Sequence, residues 1–464
     1  MKKCVYAVCA LLWAGCTASR SASDGSKDRE QKETVQIDSL APNPFIRHIY
    51  TADPSAHVWA DGRLYVYASH DIDPPRGCDL MDQYHVFSTD DMVHWTDHGE
   101  ILRASQVPWG RKEGGFMWAP DCAYKDGTYY FYFPHPSGTY TNDSWKIGVA
   151  TSKEPAANFT VQGYIEGMDP LIDPCVFVDD DGQAYMYWGN PNRYYVKLNE
   201  DMISTSGDIV KIGKLKTYQE GPWFYKRNNH YYLAFASTCC PEGIGYAMSD
   251  SPTGPWDVKG YIMRPTDRTR GNHPGIIDYK GKTYVFGQNY DLLRLEMEEH
   301  HERRSISVAE MHYNADGTIQ EVPYFKDVKV EQIEHFDPYR RVEAETMAWG
   351  YGLKTEKMPG GGIYVTAVDD GDSLIVRGVD FGKRGAKRFR ACIAAEQGCT
   401  VEIHLDCVDG PLVGTLEVKA TGGMQAYKEM ECRVKGAKGV HDLVFLFKGG
   451  AGKNLMNWDY WRFS

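Results

Sequence analysis

The stretch TADPSAHVWADGRLYVYASHD, residues 51–71, holds an Asp-Pro pair, an apolar run, an Asp-Gly turn and a second run rich in tyrosine. Alternating apolar residues on both sides of an Asp-Gly pair predict a β-hairpin, because a tight hairpin turn needs residues that tolerate positive φ. Asp53 and Pro54 stand at the start of the first strand. The hairpin is therefore expected to carry an acidic side chain at one end.

The same pattern recurs four times along the chain. It reads YKDGTYYFYFPHP at 124–136, VDDDGQAYMYWGN at 178–190, YKRNNHYYLAFAS at 225–237 and YKGKTYVFGQN at 279–289. The turns begin at Asp61, Asp126, Asp181, Asn228 and Lys280, at spacings of 65, 55, 47 and 52 residues. Repeats of about 50 residues with several strands each are typical of β-propellers. The sequence therefore predicts an all-β protein with a five-bladed β-propeller, the alternative being two unrelated sandwiches.

One polar residue precedes each turn by five to eight positions. These residues are Asp53 in TADPS, Asp121 in WAPDC, Asp173 in IDPCV, Glu220 in QEGPW and His273 in GNHPG. Each alone reads as a strand-edge cap, but the innermost strands of a propeller converge, so five in register predict one shared site. Carboxylates that face one pocket push their pKa values apart, as the acid and base of glycoside hydrolysis require.

Four tryptophans lie close to these positions and offer faces for stacking on sugar rings. They are Trp59, Trp118, Trp188 and Trp223, and packing between blades is the alternative role for each. The formal net charge of −12 argues against nucleic-acid partners.

The N-terminus has the pattern of an export signal. Lys2 and Lys3 precede the short apolar run CVYAVCALLWAG, which ends at Cys16. Residues 1–16 are similar to a bacterial lipoprotein signal, and an ordinary cleaved signal peptide is the alternative. The polar residues 17–40 read as a flexible tether. We therefore expect an exported protein, anchored to a membrane by lipid on Cys16, in the periplasm or on the outer surface.

Cysteine usage excludes two kinds of site. Three of the twelve cysteines fall in the signal, and the remaining nine form neither a small disulfide framework nor a CxxC zinc motif. Four near the C-terminus leave a disulfide open without assigning it, and they are Cys392, Cys399, Cys407 and Cys432.

Residues 41–328 are predicted to form the propeller, and residues 338–464 a second domain. The latter contains the short alternating runs RFRACIAAE, TVEIHLDCV, LVGTLEVKA and HDLVFLFKG. Their number and length predict a β-sandwich.

The motifs of residues 45–325 together resemble glycoside hydrolase family 43. The resemblance implies an inverting enzyme that hydrolyses arabinose- and xylose-containing plant polysaccharides. It implies Asp53 as general base, Glu220 as general acid and Asp173 as the residue that orients Glu220 and raises its pKa. The same resemblance gives sugar contacts and a metal ligand. Trp118, Asp121 and Arg304 would contact the sugar, with Arg303 an alternative to Arg304, and His273 would hold calcium partly through water.

The type of activity stays open at this point. The preferred interpretation is an exo-acting α-L-arabinofuranosidase or β-xylosidase. An endo-xylanase or endo-arabinanase is the alternative within the class. A retaining family 32 fructosidase would need Asn-Asp-Pro and Arg-Asp-Pro motifs, which TADPS and IDPCV lack. A non-catalytic glycan-binding lipoprotein is the remaining alternative. The charged segment EMEEHHERRSIS departs from many family 43 sequences and would border the pocket.

The C-terminal motifs RVEAETMA, DDGDSLIVRGVDFG and VHDLVFLFKGGAGKNLMNWDYWRF resemble carbohydrate-binding module family 6. The resemblance implies a jelly-roll sandwich, a structural calcium site and a sugar cleft with two aromatics and an asparagine. Calcium would be held by Glu343, Glu345 and Asp459, and the cleft would use Tyr427 and Asn457. Ala367 stands where the second aromatic belongs, so weak sugar binding is expected.

Overall fold

A computed structural model of the protein describes residues 43–72, 77–139, 141, 144–168, 172–359, 361–450 and 452–464. The predicted signal peptide and tether lie outside the described residues. Within them the chain is all-β, with thirty strands and one short α-helix, α1 (Asp291–Glu296). No helix in this part of the chain has the length and apolarity needed to cross a bilayer.

Nineteen strands form five antiparallel sheets, numbered 1 to 5 in chain order. Sheet 1 contains β1 (Tyr50–Val58), β2 (Leu64–Asp71), β3 (Gln83–Thr89) and β4 (Thr96–Arg103); sheet 2 contains β5 (Asp121–Lys125), β6 (Thr128–Pro136), β7 (Trp145–Ser152) and β8 (Thr160–Tyr164). Sheet 3 contains β9 (Cys175–Val178), β10 (Ala184–Trp188), β11 (Tyr194–Leu198) and β12 (Thr205–Lys211); sheet 4 contains β13 (Tyr218–Arg227), β14 (His230–Ser237), β15 (Glu242–Ser249) and β16 (Asp257–Thr266). Sheet 5 contains β17 (Gly275–Tyr279), β18 (Lys282–Asn289) and β19 (Ser305–Met311). In every sheet the first two strands are the predicted hairpin.

The first strands of the five sheets form a closed ring. Strand β1 contacts β5, β5 contacts β9, β9 contacts β13, β13 contacts β17, and β17 returns to β1. An X-Pro pair lies at the inner end of each sheet: Asp53-Pro54, Ala119-Pro120, Asp173-Pro174, Gly221-Pro222 and His273-Pro274. All ten residues line one cavity of about 20 Å³. Proline has no N–H to satisfy, which suits a point where five backbones meet.

Apolar cores fill the space between neighbouring sheets. Alternate residues of each hairpin point to opposite faces, so the tyrosine-rich strands supply side chains to the cores on both sides. Tyr187 of sheet 3, for example, stacks on Phe224 of sheet 4 with ring centroids 4.2 Å apart. The ring is sealed where sheets 5 and 1 share a core that includes Phe286 and Val66. Burial of each such side chain stabilises the fold by about 1.5–3 kcal/mol.

Asp121 links three of the inner strands. Its Oδ1 accepts a hydrogen bond from Ser55 Oγ at 2.7 Å and lies 2.8 Å from His57 Nε2, both on β1. Its Oδ2 accepts from the backbone N–H of Val176 on β9 at 2.6 Å. The side chain is buried, so this carboxylate joins sheets 1, 2 and 3 below the ring opening.

The C-terminal strands form two further sheets. The six-stranded sheet contains β20 (Val342–Glu343), β22 (Lys354–Lys357), β23 (Ile363–Thr366), β25 (Arg388–Ala394), β28 (Lys428–Arg433) and β30 (Asn457–Phe463). The five-stranded sheet contains β21 (Trp349–Tyr351), β24 (Ser373–Asp380), β26 (Cys399–Leu405), β27 (Leu412–Val418) and β29 (Val440–Lys448). One apolar core draws on both sheets, as where Phe445 meets Trp458 at 5.0 Å between ring centroids.

The C-terminal sheets are bonded directly to sheet 1. The paired residues are Trp95 with Met347, Asp97 with Thr355 and His94 with Arg377. The Thr355 hydroxyl donates to Asp97 Oδ2, and the Arg377 backbone N–H donates to His94 Nε2, each at 2.8 Å. These contacts fix the two parts of the chain against each other.

The cysteines give one disulfide among the described residues. It joins the neighbours Cys239 and Cys240 in the loop between β14 and β15. The four C-terminal cysteines, for which the sequence left a bridge open, are free thiols.

We predict that Asp121→Ala destabilises the fold without changing sugar affinity. Removing this buried carboxylate leaves Ser55, His57 and the Val176 N–H without their acceptor, which should lower the free energy of unfolding by roughly 3 kcal/mol. Urea unfolding measures the loss, and KM of the folded fraction tests the affinity. A raised KM at unchanged stability would contradict this role and return Asp121 to the sugar-binding residues.

Candidate active site

A cavity of about 310 Å³ opens at one end of the ring. Six residues predicted from the sequence line it, namely Asp53, Trp118, Asp173, Glu220, His273 and Arg304. The remaining lining residues include Ile172, Asn190, Arg270, Tyr290 and Glu302, which the sequence analysis did not single out. The ring thus brings four carboxyl groups, one imidazole and two guanidinium groups together.

Asp53 is buried and held in an unusual backbone conformation. Its φ is +55°, and the register of β1 against β2 shifts between Ala52 and Ser55. Such a bulge re-aims a side chain. The carboxylate accepts a hydrogen bond from Ser69 Oγ at 2.8 Å and one from Arg304 Nη1 at 3.2 Å. Burial opposes ionisation, but Arg304, His273 and Ser69 outweigh it and lower the pKa of Asp53 below its ordinary value.

Asp71 fixes the position of Arg304. The guanidinium donates from Nε and Nη2 to the two Asp71 oxygens, both at 3.0 Å, and the Arg304 backbone N–H donates to Asp71 at 2.7 Å. This bidentate geometry is a strong form of ion pairing. Arg303 is fully buried, and its Nη1 donates to the Glu302 carbonyl at 2.6 Å. Of the two arginines that the sequence left open, Arg304 is therefore the one in the cavity.

Glu220 and Asp173 form the protonated side of the site. Burial, followed by the charge of Asp173, raises the pKa of Glu220 from 4.5 to about 7. Burial and the charge of Asp53 raise the pKa of Asp173 well above its ordinary value. The Asn190 amide donates to Glu220 Oε2, and the Gly221 backbone N–H donates to Asp173 at 3.2 Å. At mildly acidic pH Asp53 is thus ionised while Glu220 keeps its proton.

The His273 ring stands between the two sides. Its Nδ1 is 3.7 Å from Asp53, and its Nε2 is 3.9 Å from Asp173 and 4.0 Å from Glu220. Gly221, at φ +57°, passes under this ring, where a Cβ atom would come within 2.5 Å of the imidazole. Any other residue at position 221 would displace His273.

The chain was compared with known proteins and structures. Residues 41–319 match the family described as "Glycosyl hydrolases family 43". The chain belongs to glycoside hydrolase family 43. Residues 343–464 match "Carbohydrate binding module (family 6)". Both resemblances drawn from the sequence are confirmed, and the protein is a glycoside hydrolase.

This family 43 enzyme is similar to proteins of named activity. It is 33% identical to an arabinoxylan arabinofuranohydrolase of Bacillus subtilis (strain 168), across 91% of this chain and 92% of that protein. It is 32% identical to a xylosidase/arabinosidase of Bacteroides ovatus, across 58% of this chain and 93% of that protein.

The similar solved structures likewise match either most of this chain or about three fifths of it. The crystal structure of a family 43 arabinoxylan arabinofuranohydrolase from Bacillus subtilis, in complex with cellotetraose, covers 91% of this chain and 97% of its own at 32% identity, with a TM-score of 0.81. A β-xylosidase/α-arabinofuranosidase from a compost metagenome, with xylotriose and in calcium-free form, covers 62% of this chain and 98% of its own at 33% identity and a TM-score of 0.55.

Some predicted residues of the family 43 enzyme lie outside the cavity. Asp121 follows its proline, Pro120, whereas Asp53 precedes Pro54, so Asp121 sits two residues further along its strand and about 6.5 Å deeper. Ala119 takes the lining position instead.

Of the four tryptophans, only Trp118 lines the cavity, where its ring packs against Trp145 at 5.0 Å. The other three pack in and beside the sheets. Trp59 stacks on His57, Trp188 stacks on Tyr194, and Trp223 donates to the Ile276 carbonyl.

Three of the residues that the sequence analysis missed lie where second strands end. Asn190 follows β10, Tyr290 follows β18, and Asp71 ends β2. The second strand of a hairpin returns to the end where the first began. The last residues of each repeat, such as WGN at 188–190 and GQN at 287–289, could therefore have been used to predict which residues line the cavity.

The surroundings of His273 fit calcium only in part. The ligand atoms of Asp173, Glu220 and His273 lie within 4.8 Å of one another. Calcium takes about six to eight oxygen ligands, whereas this set offers one nitrogen and two carboxyl groups with raised pKa values. An ion at this position would need water for most of its shell.

Two of the C-terminal carboxyl groups predicted to hold calcium already pair with a side-chain cation. Arg341 donates to both oxygens of Glu343, at 2.7 and 2.9 Å, and reaches Asp459 at 3.4 Å. Glu345 is buried, its Oε2 has no hydrogen-bond partner, and burial raises its pKa well above the ordinary value. Glu345 thus offers a free carboxyl oxygen, but Glu343, Glu345 and Asp459 are not among the groups of described residues whose ligand atoms lie within 4.8 Å of one another.

Of the two predicted cleft residues in the C-terminal part, only Tyr427 has a polar group without a hydrogen-bond partner, its buried hydroxyl. Asn457 is buried; its Oδ1 accepts from Thr366 at 2.8 Å and its Nδ2 donates to the Met424 carbonyl at 2.7 Å. Tyr427 is half-buried, with its ring 6.2 Å from that of Tyr364. Asn457 thus has internal partners for both ends of its amide.

We predict that Glu220→Gln stabilises the fold increasingly as the pH rises. Between pH 4.5 and about 7 the folded enzyme holds a proton on Glu220 that the unfolded chain has lost, so wild-type stability falls across this window. Glutamine stays neutral. Its advantage in free energy of unfolding should therefore be roughly 3 kcal/mol larger at pH 8 than at pH 4.

Urea unfolding at both pH values measures this difference. Glu298→Gln, on an exposed segment, is the matched control and should show no such trend. An advantage of Glu220→Gln that is equal at the two pH values would contradict the raised pKa.

Proposed function

We propose that this family 43 enzyme is an inverting, exo-acting α-L-arabinofuranosidase that releases arabinose from arabinoxylan or its oligosaccharides. The observation that carries the proposal is the pairing, across one cavity, of an ionised Asp53 with a protonated Glu220. The arabinofuranosidase type is favoured over the β-xylosidase type because the arabinoxylan arabinofuranohydrolase covers both parts of the chain. The Bacteroides ovatus xylosidase/arabinosidase, by contrast, matches only 58% of this chain.

In this proposal the five sheets are the blades of a five-bladed propeller. The closed ring of first strands and the cores shared by neighbouring sheets support it. The two C-terminal sheets, with one core between them, would be the jelly-roll sandwich of the carbohydrate-binding module. The N-terminal segment would deliver the enzyme to the periplasm or outer surface, with lipid on Cys16 as its membrane anchor.

The residues perform a single displacement. Asp53 takes a proton from water as the water oxygen bonds to the anomeric carbon, and Glu220 gives its proton to the leaving oxygen as the glycosidic bond breaks. Arg304, locked by Asp71, keeps Asp53 ionised and in place. The His273 ring between Asp53 and Glu220 separates the two carboxyl groups. We expect the two carboxyl groups to stand about 6.5–9.5 Å apart, the separation that leaves room for an attacking water in inverting enzymes.

Proton NMR of the first-formed sugar is the direct test. With an aryl α-L-arabinofuranoside, the released arabinose should appear first as the β anomer. Release of the α anomer would mean a covalent intermediate and would remove Asp53 as the base. Parallel assays on aryl β-xyloside and arabinoxylan test the substrate class, and a strong preference for the xyloside would overturn the arabinofuranosidase type.

Variants separate the two carboxyl roles. Asp53→Asn and Glu220→Gln should each lower turnover on arabinoxylan by about 100-fold or more. With a dinitrophenyl leaving group, which needs no proton, Glu220→Gln should recover most of its rate and Asp53→Asn should not. Equal recovery by both variants would contradict the assignment.

Calcium is proposed to brace the C-terminal module through Glu343, Glu345 and Asp459, where it would neutralise buried charge. Millimolar calcium should raise the melting temperature of the wild type, and a chelator should reverse the gain. Glu345→Gln should make the melting temperature much less sensitive to calcium. An undiminished calcium response in Glu345→Gln would place the ion elsewhere.

A further inference from the structure

We propose that Asn190 is a positioning residue that fixes the acid proton of Glu220 on Oε1, facing the cavity. This inference rests on the proposed role of Glu220 as the general acid. It adds a second residue beside sheet 3, after Asp173, to the surroundings of the acid on sheet 4.

Asn190 is held rigidly at the end of β10. The Gly189 backbone N–H donates to the Ile172 carbonyl at 2.9 Å, and the Tyr218 hydroxyl of sheet 4 donates to the Gly189 carbonyl at 2.7 Å. A Cβ atom on Gly189 would lie 1.8 Å from the Asn192 carbonyl oxygen, so this tight turn requires glycine. The turn therefore presents the Asn190 side chain to Glu220 from a fixed position.

The contact distinguishes the two oxygens of Glu220. Asn190 Nδ2 donates to Oε2. In a protonated carboxyl group, the oxygen that accepts an N–H is the carbonyl oxygen, so the proton must sit on the other. That other oxygen, Oε1, lies 4.0 Å from Nε2 of His273, the ring whose Nδ1 is 3.7 Å from Asp53, so Oε1 is on the side of Glu220 that faces the base. The amide thus aims the proton at the place where a leaving oxygen would stand.

The chemistry of the amide makes the inference specific. An Asp side chain at position 190 has the same shape but only acceptor oxygens, so it would draw the Glu220 proton onto Oε2 and away from the cavity. An Ala side chain would leave the proton free to occupy either oxygen. The two substitutions should therefore impair proton donation to different degrees, Asn190→Asp more than Asn190→Ala.

The experiment compares leaving groups at one fixed pH with the full-length enzyme. For Asn190→Ala, kcat should fall by about 10–100-fold on an alkyl or unactivated aryl arabinofuranoside, yet by less than about threefold on the dinitrophenyl substrate. Asn190→Asp should show a larger fall on the unactivated substrate. Asn192→Ala, on the same exposed turn, is the matched control and should behave as wild type.

Two results would overturn the proposal. An equal fall of kcat on both leaving groups would give Asn190 a general structural role. A raised KM with unchanged kcat would make it a sugar contact. Asn190→Asp, which keeps the shape of the side chain, carries the test if Asn190→Ala does not fold. Wild-type inactivity on every arabinofuranoside and xyloside would instead refute the proposed function itself, which the wild-type assay shows before any variant is made.

Discussion

The convergence of five inner strands on one axis is the constraint on which the rest of the structure depends. It places the side chains at the strand starts within a few ångströms of each other and away from water. Carboxyl groups in such a place cannot all ionise. The arrangement resolves this conflict by position: Asp53 receives Arg304, whereas Glu220 and Asp173 lie where burial favours their protonated forms. The difference between acid and base therefore follows from which strand lies beside the arginine.

The sequence predicted the sheets well because each hairpin is a local structure. Its turn residues, its alternation and its tyrosines lie within about twenty residues, so a repeat is visible without knowing what it packs against. The same reasoning found Asp53, Asp173, Glu220 and His273. It misplaced Asp121 because the spacing from the turn does not measure depth along the axis. The position of a residue relative to its proline does indicate this depth. Ala119, which precedes Pro120, lines the cavity, whereas Asp121, which follows Pro120, does not.

The residues that escaped prediction act between sheets. Asn190 meets Glu220, and Asp71 meets Arg304, across sequence separations of 30 and 233 residues. Nothing near Asn190 in the sequence marks Glu220 as its partner, because the contact exists only once sheet 4 has packed on sheet 3. Closing the ring thus creates electrostatic neighbours that single repeats do not contain. Prediction of such pairs needs the order and the tilt of the sheets.

The bonded junction between sheet 1 and the C-terminal sheets has a consequence for polymeric substrates. Two sugar-binding parts joined by a flexible linker can adjust their separation, and they raise the effective concentration for chains of many shapes. Here the Trp95–Met347 pairing and the Asp97–Thr355 bond remove that freedom. A polysaccharide that touched both parts would have to span one fixed distance in one fixed direction. The junction would then fix the distance between the two points at which one polysaccharide chain contacts the enzyme.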